Sequence, residues 1–139
     1  MADRVGEVMT REPRTIPADG SLSDAAKVMR DADIGDLIVV EGDRVAGIVT
    51  DRDIVVRGIA DGRDPQSTSM SEVGTSDPTT LEPGQGIDEA IETMRRLDVR
   101  RLPVVENGRL VGIVSLGDLA VERDSGSALA DISAASPNN

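Results

Sequence analysis

The sequence lacks several residue types on which common protein chemistry depends. It contains no cysteine, no histidine and no phenylalanine, tyrosine or tryptophan. Without cysteine there are no disulfides and no thiol nucleophiles. Without histidine the commonest general base and zinc ligand are missing, and without aromatic rings a nucleobase cannot be stacked on a π-face. An enzyme is therefore the least favoured class, no metal site is expected, and a planar ligand would lie between aliphatic side chains and backbone.

Positive charge is also scarce. The 139 residues carry 15 basic and 26 acidic side chains, a net charge of −11, and Lys27 is the only lysine. This balance argues against binding to nucleic acid and against an anionic membrane surface. No apolar run reaches the roughly 18 residues that a membrane span needs, and the first residues lack the apolar stretch of a signal peptide. A cytoplasmic location is therefore expected.

The chain consists of two copies of one unit. Residues 7–54 lie over residues 72–119 at a constant offset of 65 without a gap, and 18 of these 48 positions are identical. A match of this extent indicates an internal repeat. Because a single copy would bury only a thin core, we expect the two copies to form one domain together.

Each copy predicts the element order β-α-β-β-α. An amphipathic helix follows a short extended segment, with apolar residues at helical spacing. Two strands follow, joined at Gly42-Asp43 or Asn107-Gly108, which are strong hairpin signals, and a second helix begins near Asp53 or Asp118. We predict an α+β fold of two pseudo-twofold related units packed through their sheets. The predicted boundaries are 4–62 for the first unit, 63–68 for a linker, 69–124 for the second unit and 125–139 for a flexible tail.

Both copies end on one motif at the junction between the last strand and the second helix. It reads Gly47-Ile48-Val49-Thr50-Asp51-Arg52-Asp53 in the first copy and Gly112-Ile113-Val114-Ser115-Leu116-Gly117-Asp118 in the second. A hydroxyl residue followed by an acid three positions later is typical of a helix-capping box. The same pair could hold a ligand, because a carboxylate can accept two hydrogen bonds from a diol. The motif alone leaves both interpretations open.

The repeated unit, the Leu102-Pro103-Val104-Val105 strand and the terminal Gly-Ile-Val-[Ser/Thr]-x-x-Asp motif resemble the CBS domain pair, or Bateman module. The resemblance extends over about residues 4–124 and is nearest to small stand-alone bacterial members of the hypoxic response protein type. It implies a non-enzymatic regulatory module that binds AMP, ADP, ATP or S-adenosylmethionine in clefts between the paired units. It implies no required cofactor, an adenine nucleotide as ligand, an unknown protein partner, and a homodimer formed through helix faces that contain Ile54, Val55, Ile59, Leu119 and Val121.

The resemblance also implies which residues form the ligand sites. Two groups are distinguished, one for ribose and phosphate and one for the base. The ribose and phosphate group is Thr50, Asp53, Ser115, Asp118, Arg100 and Arg101. The base pocket is Thr10, Thr15, Ile16, Ile34, Gly35, Asp36, Thr75, Thr80, Leu81 and Val99.

The two copies differ at these positions. Gly35-Asp36 corresponds to Arg100-Arg101, and Asp51-Arg52 corresponds to Leu116-Gly117. Since arginine supplies forked donors to phosphate, we predict unequal sites, with the arginine-containing site favoured for a phosphorylated ligand. The alternative is a stress-response interaction protein that keeps the fold and the helix caps but binds no nucleotide.

Overall fold

The computed structural model describes residues 3–123, so the predicted tail at 125–139 lies outside the described residues. In chain order the elements are α1 (Val5–Val8), β1 (Thr10–Arg11), β2 (Thr15–Pro17), α2 (Leu22–Ala32), β3 (Asp36–Glu41), β4 (Arg44–Thr50), α3 (Asp51–Asp53), a π-helical segment (Ile54–Ile59), α4 (Met70–Val73), β5 (Thr75–Ser76), α5 (Ile87–Leu97), β6 (Arg101–Glu106), β7 (Arg109–Ser115) and α6 (Leu116–Arg123). The mixture of helices and sheets confirms the α+β class. In the described part of the chain, no helix is both long enough and apolar enough to cross a membrane.

Residues 14–78 form one compact unit, here called the contiguous unit. Its four-stranded sheet has the order β2-β3-β4-β5, in which β2 is parallel to β3 and the other pairs are antiparallel. The sheet has one strand more than the predicted three, because β5 adds to the edge of β4. The core is closed by α2, α4 and the inward side chains of the sheet: Ile16, Leu22, Ala25, Met29, Leu37, Val39, Val49, Met70 and Val73.

A second compact unit, here called the split unit, combines residues 3–13 with residues 79–123. Its sheet has the order β1-β7-β6, and both pairs are antiparallel. The predicted extended segment at Leu81 forms only a single parallel bridge, with Val104. The core is Val5, Leu81, Ile87, Ala90, Ile91, Met94, Leu102, Val104, Val114 and Leu119.

The compact units are offset from the sequence repeats. The leading segment (residues 3–11) packs in the split unit with the second repeat, and the equivalent segment of the second repeat packs in the contiguous unit. The motif glycines permit this arrangement. A Cβ added at Gly47 would lie 2.5 Å from the Thr75 carbonyl oxygen, and one at Gly112 would lie 2.9 Å from the Thr10 carbonyl oxygen. These glycines therefore allow the added strand to approach the last strand of the hairpin.

Two local predictions from the sequence, the amphipathic helices and the hairpin turns, are confirmed, and the structure adds the way in which the helices end. The amphipathic helices form as α2 and α5, with their periodic apolar residues turned to the cores. Both helices end at an aspartate with left-handed backbone, Asp33 at φ 56° and Asp98 at φ 55°, a conformation that Asp and Asn tolerate better than most residues. Asn107 and Gly108 both have positive φ, as a type I′ hairpin turn requires.

The second helix of each copy differs from expectation. It begins at Asp51 and Leu116, two residues earlier than predicted, because Thr50 and Ser115 accept hydrogen bonds from the first helical turn. The side chain of Leu119 is fully buried in the split-unit core. Its predicted place on an exposed dimer face is therefore wrong, since α6 turns this residue inward.

Candidate functional site

The junction in the contiguous unit forms a closed helix cap. The Thr50 Oγ1 accepts a hydrogen bond from the backbone N–H of Asp53 at 3.1 Å, and Asp53 Oδ2 accepts one from the backbone N–H of Thr50 at 3.0 Å. Asp53 is half-buried. This is the reciprocal capping box, so both side chains that the motif supplies already hold backbone groups of the chain.

The junction in the split unit forms an open cap. Ser115 Oγ accepts a hydrogen bond from the backbone N–H of Asp118 at 3.0 Å, as its counterpart does. The reciprocal half is missing: within residues 3–123, no group donates to the Asp118 carboxylate, and this side chain is exposed. A carboxylate in this position retains its acceptor capacity for an external donor.

The surroundings of the closed cap are acidic. The Asp51 backbone N–H donates to the Gly35 carbonyl oxygen at 2.9 Å, which ties the helix start to the segment before β3. The Asp51 carboxylate lies over this glycine, since a Cβ added at Gly35 would be 3.1 Å from Asp51 Oδ2. With Asp53 in the cap, two carboxylates that the motif supplies belong to this junction. Such a site disfavours an anionic ligand.

The open cap has the opposite charge pattern on the same backbone framework. The Leu116 backbone N–H donates to the Arg100 carbonyl oxygen at 2.7 Å, the equivalent of the Asp51 to Gly35 bond. At the equivalent positions of the two repeats, Leu116 stands where the closed cap has Asp51. Arg100 and Arg101 stand where it has Gly35 and Asp36. The Arg100 side chain is exposed and forms no ion pair with another residue of the described range 3–123. A guanidinium, an open carboxylate and a helix start therefore belong to one junction.

The residues assigned to the base pocket divide between the two units. Thr10 pairs with Ile113 on the strand that leads to Ser115, and Thr75 pairs with Ile48 on the strand that leads to Thr50. Each early threonine thus belongs to the junction of the other repeat. The side chains of Ile16 and Leu81 are buried in the two cores, so these positions can offer a ligand only backbone atoms. The contiguous unit contains Thr15, Ile16, Ile34, Gly35, Asp36 and Thr75, and the split unit contains Thr10, Thr80, Leu81 and Val99.

Two residues absent from the predicted site set affect it. Asp51 adds a carboxylate beside Gly35, and Leu116 leaves the equivalent place uncharged. The signal for them was the divergence of the two motif copies at this position. Sequence comparison alone does not show that Asp51 lies close to Gly35, because the two residues are brought together only when β3 and β4 pair as a hairpin.

Fold and junctions together define the class: a duplicated α+β module whose candidate sites lie at its two strand-to-helix junctions. A family model described as the CBS domain matches residues 5–58 and 70–124. The chain therefore belongs to the CBS domain family, as the sequence resemblance predicted, and contains two copies of the domain.

Several known proteins are similar over most of the chain. The CBS domain-containing protein YhcV of Bacillus subtilis is 40% identical over 133 residues, which is 93% of this chain and 94% of that protein. Hypoxic response protein 1 of Mycobacterium tuberculosis is 41% identical over 101 residues, 72% of this chain and 71% of that protein. A crystal structure of the hypoxic response protein, with two coordinated zinc ions, has a TM-score of 0.78 at 35% identity and covers 84% of this chain and 96% of its own.

A hexameric CBS-CP12 protein from bloom-forming cyanobacteria is a further structural neighbour. Its TM-score is 0.75 at 31% identity, and the match covers 87% of this chain and 71% of that one. The zinc ions of the hypoxic response protein are a property of that protein. This chain has no cysteine or histidine, and among residues 3–123 no group of three or more acidic side chains is arranged to hold a metal ion.

Proposed function

We propose that the chain is a non-enzymatic regulatory module that binds an adenosine-containing, phosphorylated ligand at the open cap. The observation that supports this is the contrast between Asp118, whose carboxylate is open at the junction to which the Arg100 carbonyl oxygen is bonded, and Asp53, whose carboxylate closes a helix cap. AMP, ADP and ATP have the required chemistry. S-adenosylmethionine is a weaker candidate at this junction because it carries no phosphate for the arginine.

Each group of the open cap has a role in this proposal. Asp118 accepts hydrogen bonds from the two ribose hydroxyls. Arg100, together with Arg101 where its other contacts permit, donates to the phosphate. The start of α6 presents backbone N–H groups and the positive end of the helix dipole to the anion. Thr10 borders the base from the neighbouring strand β1.

Each chain has one strong site for a phosphorylated ligand, at the open cap. At the closed cap a ligand would have to displace the Thr50 N–H from Asp53 and approach Asp51. Both the loss of a hydrogen bond and the like-charge repulsion weaken binding there. We therefore expect a stoichiometry close to one phosphorylated ligand per chain, and the closed cap serves mainly to start its helix.

A calorimetric titration of the full chain with AMP, ADP, ATP, S-adenosylmethionine and NADH tests this function.

The second measurement is thermal unfolding in the presence of each of these ligands. It should be followed by circular dichroism or dye binding, because the chain has no tryptophan or tyrosine. A ligand at about 100 times its Kd should stabilise the fold by ~2.7 kcal/mol. Asp118→Ala should remove this shift and Asp53→Ala should retain it. Two equal AMP sites would contradict the asymmetry, and no shift with any ligand would contradict nucleotide binding.

The second candidate function is an interaction protein that binds no nucleotide. It is favoured by the π-helical segment, on which Val55, Val56 and Ile59 are 58%, 44% and 54% exposed. An apolar surface of this kind is typical of a protein contact, and a homodimer through it would suit a family that includes a hexameric neighbour. The similarity to hypoxic response protein 1 supports a role in stress response, and we propose a cytoplasmic location as part of the same function. Val55→Asp should lower the mass of any assembly formed through this surface, as measured by light scattering.

A further inference from the structure

The leading segment, residues 3–11, packs against residues 83–87 and strand β7 of the split unit. This binding surface is here called the slot. Val5 is fully buried in the split-unit core. Its backbone N–H donates to the Gln85 carbonyl oxygen at 2.9 Å, and the next N–H, of Gly6, donates to the Pro83 carbonyl oxygen at 2.9 Å. In return the Asp3 carbonyl oxygen accepts from the Ile87 N–H at 3.2 Å. The slot thus recognises the segment by one apolar anchor and by its main chain.

The far end of the slot is matched to the same segment. There β1 pairs with β7, with Arg11 opposite Gly112. A Cβ on Gly112 would lie 2.7 Å from Met9 Sδ and 2.9 Å from the Thr10 carbonyl oxygen. The absence of a side chain at Gly112 therefore leaves space for this segment, and every copy of the chain carries an identical occupant.

The two units differ in the connection to the segment that packs beside the last hairpin strand. In the contiguous unit the equivalent of the leading segment is α4 and β5, and it belongs to the same stretch of chain, residues 14–78. The split unit receives the leading segment across the whole of the contiguous unit, and during synthesis that segment precedes its slot by more than 60 residues. Until residues 79–123 have been made, the leading segment has no slot in its own chain. Exchange of an identical element between copies is a common outcome of such connections.

The connection after the leading segment is conformationally unfavourable in the closed chain. Glu12 has a φ of 53° and directly precedes Pro13. Left-handed backbone is unfavourable for a non-glycine residue, and a residue before proline prefers an extended conformation. Asp77, the equivalent residue of the second repeat, has the same backbone (φ 46°) before Pro78. An extended conformation at Glu12 would remove this strain.

We propose that the slot of the split unit also binds the leading segment of a second copy, so that two chains exchange residues 3–11. In the exchanged dimer the partner copy supplies Thr10 to the junction of Ser115 and Asp118. The contacts within each slot are the same as in the closed chain. The exchange requires no nucleotide, so it is independent of the function proposed above.

One engineered disulfide shows whether the leading segment is bound in the slot of its own chain or in that of a second copy. Arg4 and Gly86 form an antiparallel bridge, flanked by the bonds from Val5 to Gln85 and from Ile87 to Asp3, which makes them a non-hydrogen-bonded pair. Such pairs have Cα atoms about 4.5 Å apart, within the range for a disulfide. A Cβ added at Gly86 meets no atom within 4 Å. Because the chain has no cysteine, Arg4→Cys with Gly86→Cys can form only this bond between its two new thiols or their copies.

The repeat supplies a matched control. Ser69 and Ser21 are the equivalents of Arg4 and Gly86 one repeat apart, form the same kind of bridge, and lie within the contiguous unit. Both double variants of the full chain are unfolded, refolded over a range of concentrations, oxidised and run on a denaturing gel without reductant. We expect covalent dimers of the Arg4→Cys/Gly86→Cys chain that increase with refolding concentration. The Ser21→Cys/Ser69→Cys chain should remain monomeric throughout.

Two further measurements keep the proposal falsifiable. Glu12→Gly relieves the strain of the closed connection and should reduce the dimer fraction several-fold. Wild-type chains of natural and heavy-isotope composition should form mixed dimers in native mass spectrometry when refolded together, but not when mixed after refolding. A crosslink confined to single chains at every concentration, thiols that stay unoxidised, or a dimer that Val55→Asp dissolves would overturn the exchange.

Discussion

The two strand-to-helix junctions have the same backbone framework and different chemistry. In both, a hydroxyl oxygen caps the N–H three residues on, and the first helical N–H is held by the segment before the preceding hairpin. Only in the contiguous unit does the acid complete the cap. In the split unit the acid is exposed, and arginines replace a glycine and an aspartate. A duplicated motif can thus start a helix in both copies while only one copy uses its carboxylate to do so.

The largest expected difference between the two junctions is the loss of stability when the apolar residue after each motif is truncated. Leu119 is fully buried, whereas its equivalent, Ile54, is half-buried at the start of the π-helical segment. Leu119→Ala should lower the free energy of unfolding by about 2–5 kcal/mol, because it leaves a cavity in the split-unit core. Ile54→Ala should have a clearly smaller effect. Urea unfolding followed by circular dichroism measures both, and equal losses would show that the two second helices pack alike.

The next test separates capping from ligand binding. Asp53→Ala should cost about 1 kcal/mol of stability, because the Thr50 N–H loses its acceptor. Asp118→Ala should change stability by no more than about 0.5 kcal/mol, because its exposed carboxylate accepts no hydrogen bond from residues 3–123, while abolishing stabilisation by AMP. Thermal unfolding with and without AMP gives both quantities. If both variants lose stability equally in the absence of ligand, the open cap is closed in solution.

These contrasts indicate how much the sequence can predict. Periodicity and turn residues gave α2, α5 and the two hairpins, because those elements depend on neighbours within a few positions. The repeat also indicated that the junctions differ. Sequence could not assign Thr10 to the unit of Ser115, since that depends on the long-range pairing of β1 with β7. It could not separate a closed from an open cap, because Thr50-x-x-Asp53 and Ser115-x-x-Asp118 have the same spacing.

Exchanging the residues Asp51 and Leu116 between the two motifs tests whether charge at this position determines the affinity for AMP. Leu116→Asp places a carboxylate at the open cap where Asp51 lies at the closed one. We expect about a tenfold loss of AMP affinity, or about 1.4 kcal/mol, and a smaller loss for adenosine, which has no phosphate. Asp51→Leu is the matched control and should leave the affinity of the strong site unchanged. Equal losses for AMP and adenosine would mean that Leu116→Asp acts by distortion rather than by charge.

The smallest expected effect concerns a cap outside both junctions. The Ser69 backbone N–H, which donates to Glu72 at 2.7 Å, is the main reason that the pKa of this carboxyl lies below its ordinary value of 4.5; a side-chain bond from Ser69 and the nearby Arg63 contribute less. Because the folded state holds the proton less tightly than the unfolded state, this contribution to stability is complete above pH 4.5. It is lost as the pH falls through the lowered pKa of the folded state.

Glu72→Gln should therefore flatten the dependence of stability on pH below 4.5, although the effect is limited because the carboxyl is exposed to solvent. Urea unfolding at a series of acid pH values measures the slope. Arg63→Gln is the matched control: it removes the ion pair at 3.1 Å but keeps the backbone donor, so most of the slope should remain. If Arg63→Gln flattens the curve as much as Glu72→Gln does, the ion pair rather than the cap governs this carboxyl.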